Sequence, residues 1–218
     1  MAIVIPPLAY GTGTKWYKHL GNRSNTIDDR LVECIVLALH SGFNHLDTAE
    51  LYGTEREVGA ALQRYFKERG KTRKDVFITA KVTFPDNLLQ RFNDTINRLG
   101  PAVEGYVDLY LLHSPLWDYT PSSPLPMSLV WSQMESLVSS NRVKAIGVSN
   151  FQSQDLKALR DVNPTILPAC NQIEFHAYLQ EPELIQFCKE AFPDMRISAY
   201  GPLAPVLGFA GKGRVKEV

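Results

Sequence analysis

Short apolar runs recur along this chain at nearly constant intervals, and most of them end in a side chain that can take part in chemistry. They begin at residues 43, 76, 107, 145, 170 and 197, a mean spacing of about 31 residues. That spacing is the size of a strand–helix–strand unit. Regular alternation of this kind predicts a parallel sheet with helices packed outside it. The runs are Phe43–Asp47, Val76–Lys81, Val107–His113, Ala145–Asn150, Cys170–Gln172 and Ile197–Tyr200.

Helical patterns fill the segments between these runs. Apolar residues repeat at helical spacing between residues 28 and 40, and Gly42 is expected to end that helix. Thr54 predicts the N-cap of the next helix, which extends to Phe66, with Glu57 as its capping-box partner. Further helices are predicted over 87–99, 128–139, 153–160 and 182–190, and a first strand over 8–14.

The number of elements predicts an α/β fold of the (β/α)8 TIM-barrel type that is incomplete, built as one domain over residues 1–218. Seven strands and six helices fit the chain, whereas an eight-stranded barrel typically has about 250 residues. After Tyr200 the tail contains Pro202, Pro205 and several glycines, which disfavours another helix and strand. We therefore expect the eighth strand and the last helices to be missing, with two open sheet edges.

Composition favours a soluble globular protein and excludes several other classes. Apolar residues make up 44%, and Lys plus Arg equals Asp plus Glu at 23 each, so no basic excess points to nucleic acid. The three cysteines, Cys34, Cys170 and Cys188, form no CxxC pair, which predicts a reducing compartment such as the cytoplasm. No stretch approaches the roughly 18 apolar residues of a membrane span, and the N-terminus lacks a signal-peptide pattern.

Four side chains near the ends of the runs form a set that can move a proton: Asp47, Tyr52, Lys81 and His113. They should meet, because a parallel barrel brings the carboxyl ends of its strands to one mouth. A tyrosine hydroxyl can protonate a carbonyl oxygen, and a nearby ammonium lowers its usual pKa of about 10. Lys81 would supply that charge, Asp47 would hold Lys81, and His113 would orient the substrate oxygen. Such a donor needs a hydride source, which predicts a nicotinamide cofactor.

Taken singly, these residues also have ordinary structural interpretations, such as packing for Tyr52 or a solvated rim position for Lys81. Other catalytic motifs fail. Gly11–Thr14 lacks the third glycine of a dinucleotide fingerprint, and Gly147–Phe151 lacks the closing glycine of a nucleophile elbow. The histidines show no metal-ligand spacing, so no metal site is expected.

At these positions the chain resembles the aldo-keto reductase superfamily, from about residue 8 to residue 205. Seven motifs occur in the family's order, and together they are far more specific than any one alone. They are Gly11–Thr14 with Trp16, Gly42–Tyr52, Ile78–Val82, Tyr106–Pro115, Gly147–Phe151, Gln172–His176 and Ala199–Leu203. The resemblance implies a (β/α)8 barrel that reduces the carbonyl group of a small aldehyde or ketone with NADPH.

The resemblance also implies a role for each matched position. Tyr52 would be the general acid, tuned by Lys81 and Asp47. The positions implied for the cofactor are Ser149, Asn150 and Gln172 on the nicotinamide carboxamide, Tyr200 stacked on its ring, and the backbone around Gly201 to Leu203 near the pyrophosphate. The positions implied for the substrate are His113, which would orient the carbonyl, and Trp16 and Trp117, which would line an apolar pocket.

The expected missing end keeps other interpretations open. In the family, the segment after the seventh strand holds the 2′-phosphate and the adenine, and the tail from Val206 onward does not resemble it. The expected function is NADPH-dependent carbonyl reduction. The alternative is a non-catalytic truncated barrel that self-associates or binds a partner through its open edge, and a third hypothesis is a splice or gene-model product that does not fold stably alone. Nucleic acid and membranes are not expected as partners.

Overall fold

Seven parallel strands form a single sheet in chain order, with helices between them, in the computed structural model of residues 3–18, 26–115 and 125–206. The strands are β1 (Tyr10–Gly11), β2 (His45–Asp47), β3 (Phe77–Val82), β4 (Val107–Leu112), β5 (Val143–Ser149), β6 (Cys170–Glu174) and β7 (Arg196–Tyr200). The helices are α1 (Asp29–His40), α2 (Glu55–Arg69), α3 (Leu88–Leu99), α4 (Met127–Ser139), α5 (Ser153–Asp161) and α6 (Pro182–Ala191). In these ranges no helix has the length and apolar character needed to span a bilayer.

The alternation that the apolar spacing predicts is confirmed. Each of the six runs contains a strand, and the predicted helices agree with the observed ones to within a few residues. The first strand is shorter than predicted, because only Tyr10–Gly11 of the stretch 8–14 pairs with β2. The periodicity of apolar residues was therefore a sound guide to the type and order of the elements.

The capping box predicted at the start of α2 is wrong. Thr54 precedes the helix, but its side chain caps no backbone N–H group, because its hydroxyl lies 2.8 Å from the hydroxyl of Thr12. Glu57 forms an ion pair with Lys18 and accepts a hydrogen bond from the backbone N–H of Asp28. Both side chains therefore join separate parts of the chain instead of serving their own helix.

The sheet curls so strongly that side chains of β2 and β6 meet. The side-chain amide of Gln172 on β6 donates to the carboxylate of Asp47 on β2 over 2.8 Å. β1 and β7 stand at the two ends of the strand order, and within the described ranges each of them pairs with one strand. The architecture is the incomplete α/β barrel of about seven strands that the sequence predicts.

Apolar side chains cover both faces of the sheet. Between the sheet and the helices lies the larger core, to which Leu46, Ile78 and Tyr110 contribute from the strands. A smaller cluster on the other face contains Leu109, Leu111, Ala145 and Cys170, with Ile3 and Ile5 packed against it. Every residue of β4 is buried, which explains its nearly continuous apolar sequence.

Candidate active site

A buried ion pair between two neighbouring strands forms the centre of the site. Asp47 ends β2, and Lys81 lies near the end of β3. Lys81 is fully buried, and its ammonium pairs with one carboxylate oxygen of Asp47 and donates to the backbone carbonyl of Thr48 over 3.3 Å. Burial acts to lower the pKa of Lys81, but the attraction of Asp47 and Tyr52 outweighs it, so this pKa is raised. Lys81 is therefore a fixed positive charge.

Tyr52 lies beside this ammonium, at the end of the 3-10 turn Glu50–Tyr52 that follows β2. Its hydroxyl is 3.3 Å from Nζ of Lys81. Burial raises the pKa of Tyr52 above its usual value, and the opposing effect of Lys81 does not cancel that rise. The effect of Lys81 has the predicted sign, but the net shift is opposite to the predicted lowering because burial dominates. The phenol is thus protonated at neutral pH, as a proton donor must be.

His113, directly after β4, completes the predicted set of four. Its ring meets that of Tyr52 edge to face, with the ring centroids 5.4 Å apart. Burial and, to a lesser extent, the charge of Lys81 lower the pKa of His113 to about 4. The imidazole is therefore neutral near pH 7 and carries one N–H group that can donate to a carbonyl oxygen.

The three residues predicted to hold the carboxamide lie on β6 and at the end of β5, and two of them, Asn150 and Gln172, are hydrogen-bonded directly to the set of four. The hydroxyl of Ser149 donates to the backbone carbonyl of Gln172 over 2.8 Å. The side-chain amide of Asn150 donates to the backbone carbonyl of His113 over 2.9 Å, and the amide of Gln172 donates to Asp47. Residues predicted for cofactor binding and residues predicted for catalysis thus form one network.

Tyr200 ends β7 at the same edge of the sheet. Its hydroxyl donates to the side-chain oxygen of Asn150 over 2.8 Å, and the residue is 39% exposed. Gly201 follows with a φ of 65°, a left-handed conformation that glycine adopts without strain, and Leu203 is exposed. An accessible aromatic ring beside amide and hydroxyl groups suits a flat heteroaromatic ring that carries a carboxamide.

The two tryptophans predicted for the substrate pocket have different outcomes. Trp16 is partly buried against the apolar core, with the guanidinium of Arg30 from α1 5.6 Å from its ring centroid. Trp117 lies outside the described residues. The substrate role of both residues stays a prediction.

Two features next to Asp47 and Tyr52 were missed in the sequence. Thr12, Thr48 and Thr54 are fully buried, and the hydroxyl of Thr12 lies within 3.2 Å of both other hydroxyls. Gly13 backs directly onto the phenol ring, since an added Cβ would lie 2.5 Å from a ring carbon of Tyr52. The sequence signal for both features is the stretch Gly11–Thr14, which contains Thr12 and Gly13.

The described part of the chain holds no group of three or more side chains placed to bind a metal ion.

Residues 7–215 match the family model described as the Aldo/keto reductase family. The chain is 39% identical over 216 residues to an NAD/NADP-dependent indole-3-acetaldehyde reductase of Schizosaccharomyces pombe, covering 98% of this chain and 70% of that protein. It is 39% identical over 210 residues to an NADPH-dependent alpha-keto amide reductase of Saccharomyces cerevisiae, covering 93% of this chain and 64% of that protein.

Solved structures share the fold. The crystal structure of an aldo/keto reductase from Brucella melitensis superposes with a TM-score of 0.73 at 33% identity, covering 98% of this chain and 76% of that one. A Bombyx mori aldo-keto reductase in complex with NADP superposes with a TM-score of 0.77 at 26% identity, covering 97% of this chain and 66% of that one. The chain thus spans about two thirds to three quarters of the length of these two structures.

Proposed function

The chain belongs to the aldo/keto reductase family, and we propose that it reduces the carbonyl group of a small aldehyde or ketone to an alcohol, with NADPH as the hydride donor. The observation that carries the proposal is the phenol hydroxyl of Tyr52, 3.3 Å from a buried ammonium that is itself paired with Asp47. The names of the two yeast relatives describe reduction of an aldehyde and of a keto amide, which supports a carbonyl substrate.

Tyr52 is the general acid in this proposal. Its raised pKa keeps the proton on the phenol until negative charge grows on the substrate oxygen, which then takes that proton. The fixed charge of Lys81 stabilises the phenolate that remains. Asp47 offsets the burial of Lys81 and so keeps the ammonium charged although it has no contact with water.

His113 positions the substrate in this proposal. A neutral imidazole has one N–H donor and one acceptor nitrogen. Nδ1 of His113 lies 3.5 Å from the hydroxyl of Thr83, which leaves the other ring nitrogen to meet a ligand. The substrate oxygen would then accept hydrogen bonds from both His113 and Tyr52, whose rings are in edge-to-face contact.

The side chains at the ends of β5, β6 and β7 fit a nicotinamide. Amide and hydroxyl groups of Ser149, Asn150 and Gln172 complement a carboxamide, and the exposed ring of Tyr200 offers a flat apolar surface. Gly201 has no side chain to prevent a phosphate from approaching its backbone. When bound, the reduced nicotinamide supplies the hydride.

Tyr52→Phe tests the proposal. We expect kcat for an aromatic aldehyde and for a keto amide to fall by about 10²- to 10⁴-fold, the usual contribution of general acid catalysis. The affinity for NADPH, measured by fluorescence titration, should change little in this variant. An assay of the wild-type protein with NADH in parallel shows which cofactor is preferred. Turnover at the wild-type rate by the Phe variant would remove Tyr52 from the acid role.

A second candidate function, association through the sheet edge, is favoured by the accessibility of β7. Arg196, Ala199 and Tyr200 on this strand are exposed, and unpaired strand edges favour pairing with another chain. Sedimentation equilibrium tests it. A folded oligomer that neither binds NADPH nor reduces carbonyls would favour this function, whereas an active monomer would exclude it.

A further inference from the structure

Gln172 makes a contact that its proposed role in cofactor binding does not explain. Nε2 of Gln172 lies 2.8 Å from Oδ2 of Asp47, and the ion pair with Lys81 uses Oδ1, the other oxygen. A carboxylate only accepts hydrogen bonds, so the nitrogen of the amide must face it. The carboxylate of Asp47 is therefore held from both sides, by an ammonium on one oxygen and an amide on the other.

The backbone of Gln172 is fixed as firmly as its side chain. Its carbonyl accepts hydrogen bonds from the hydroxyl of Ser149 over 2.8 Å and from the backbone N–H of Asn150 over 2.9 Å. The side chain is 9% exposed and extends from this fixed point to a carboxylate 125 residues earlier in the chain. Such a side chain can act as a rigid spacer between β5 and the ion pair.

We propose that Gln172 is a positioning residue of the catalytic centre, whose amide holds the carboxylate of Asp47 in the orientation that pairs with Lys81. A buried carboxylate oxygen without a donor is unfavourable, so Asp47 would turn toward any other donor if the amide were removed. The orientation of Lys81 beside Tyr52 depends on Asp47, and therefore on Gln172. The catalytic meaning of this inference rests on the proposed function, but the contact itself does not.

Several titratable groups surround Asp47, and they come from both sides of the site. Those with an electrostatic effect that involves Asp47 are His45, Tyr52, Lys81, His113 and Cys170. A second carboxylate at position 172 would join this set opposite Asp47. The change Gln172→Glu keeps the size of the side chain and replaces the donor by an acceptor.

Melting temperatures across pH test the contact without turnover. In Gln172→Glu, two carboxylates would face each other and share a proton, so the pKa of the pair would be raised in the folded protein. A raised pKa in the folded state stabilises the folded protein at low pH, and this stabilisation is lost as the pH rises. The melting temperature of Gln172→Glu relative to that of wild type should therefore fall between about pH 5 and pH 8. The matched variant Gln172→Met adds no titratable group, so its difference from wild type should change far less over this pH range than that of Gln172→Glu.

Adding Asp47→Asn to Gln172→Glu should clearly reduce the pH dependence, because the repulsion between two carboxylates is gone and only the effect of burial on the carboxyl at position 172 remains. A pH-independent difference between Gln172→Glu and wild type would overturn the inference, since the two side chains would then not face each other. If Gln172→Glu folds only at acidic pH, that result also supports the inference. Should it fold at no pH, Gln172→Met decides, with a lower kcat at unchanged NADPH affinity supporting the inference and an unchanged kcat overturning it.

In the active enzyme, the shared proton is bound only at low pH. The kcat of Gln172→Glu relative to that of wild type should therefore rise about tenfold for each unit by which the pH is lowered toward the pKa of that proton. A change confined to KM for NADPH in both variants would indicate a role in cofactor binding alone and would also overturn the inference. A wild-type protein without turnover would defeat the proposed function, whereas the melting curves would still decide the contact between Gln172 and Asp47.

Discussion

Gly13→Ala is the most direct way to displace the proposed proton donor without changing a polar group. A methyl group on Gly13 would lie 2.5 Å from Cζ of Tyr52 and 2.7 and 2.8 Å from the two adjacent ring carbons. Carbon atoms in contact normally lie about 3.5–4.0 Å apart, so the ring must retreat by about 1 Å. The φ angle of Gly13 lies outside the left-handed region, so alanine adds no backbone strain there.

The ring of Tyr52 cannot retreat without losing its partners. Its hydroxyl is 3.3 Å from Nζ of Lys81, and its edge-to-face contact with His113 has a centroid distance of 5.4 Å. A misplacement of about 1 Å at a catalytic group lowers the rate by about 10²-fold. That factor equals about 2.7 kcal/mol of activation free energy. We therefore expect kcat of Gly13→Ala to fall about 100-fold, with little change in NADPH affinity.

Gly11→Ala is the matched control. It lies two residues away in the same segment, and an added Cβ there meets no atom within 4 Å. Steady-state reduction of an aromatic aldehyde and fluorescence titration with NADPH should give wild-type values for this variant. The reasoning is refuted if Gly13→Ala turns over at the wild-type rate, or if Gly11→Ala loses as much activity as Gly13→Ala.

Two further predictions concern buried groups and are measured by urea unfolding. The pKa of His113, about 4, lies below the ordinary 6.5, so the unfolded chain binds more protons between these values and stability falls as the pH drops through them. His113→Gln should flatten that part of the stability curve, and a curve as steep as that of wild type would contradict burial of a neutral imidazole. Arg73→Met should lower the free energy of unfolding by about 3–5 kcal/mol, because it leaves Asp108 buried without its guanidinium partner. Lys144→Met removes a half-exposed partner of Asp108 and should change the free energy of unfolding by less than about 1 kcal/mol. An equal loss of stability in both variants would contradict the interpretation that Arg73 is the main partner of Asp108.

The order and type of the elements could be predicted because they depend on local periodicity. Strands covered on both faces are almost continuously apolar, as in Val107–Leu112, where Asp108 is the one charged residue, and that pattern is visible without any partner. Side-chain partners depend on the curl of the sheet, which no local pattern encodes. The hydroxyl of Thr54 illustrates this, since the local rule predicts a helix cap and the fold supplies Thr12 instead.

Within the candidate site, the contacts of Lys81 with Asp47 and Tyr52 could be predicted from positions at or near strand ends, whereas other contacts could not. The convergence of Asp47, Lys81 and His113 follows from one rule, the common mouth of parallel strands. The net shift in the pKa of Tyr52 does not, because it depends on how deeply the phenol is buried relative to the distance of Lys81. The bond between Gln172 and Asp47 needs strands at opposite sides of the curled sheet to meet.

The protein contains a second buried ion pair, and comparing the two shows how the candidate site differs from a structural ion pair. The guanidinium of Arg73 pairs with Asp108 near the start of β4 and donates to three backbone carbonyls. A guanidinium stays charged at any relevant pH, and three of its acceptors there are backbone carbonyls, which exchange no proton. The pair of Lys81 and Asp47 lies at the opposite ends of the strands and touches a partly exposed phenol that can give up a proton. Burial of charge alone therefore does not distinguish the candidate site; the adjoining, partly exposed phenol does.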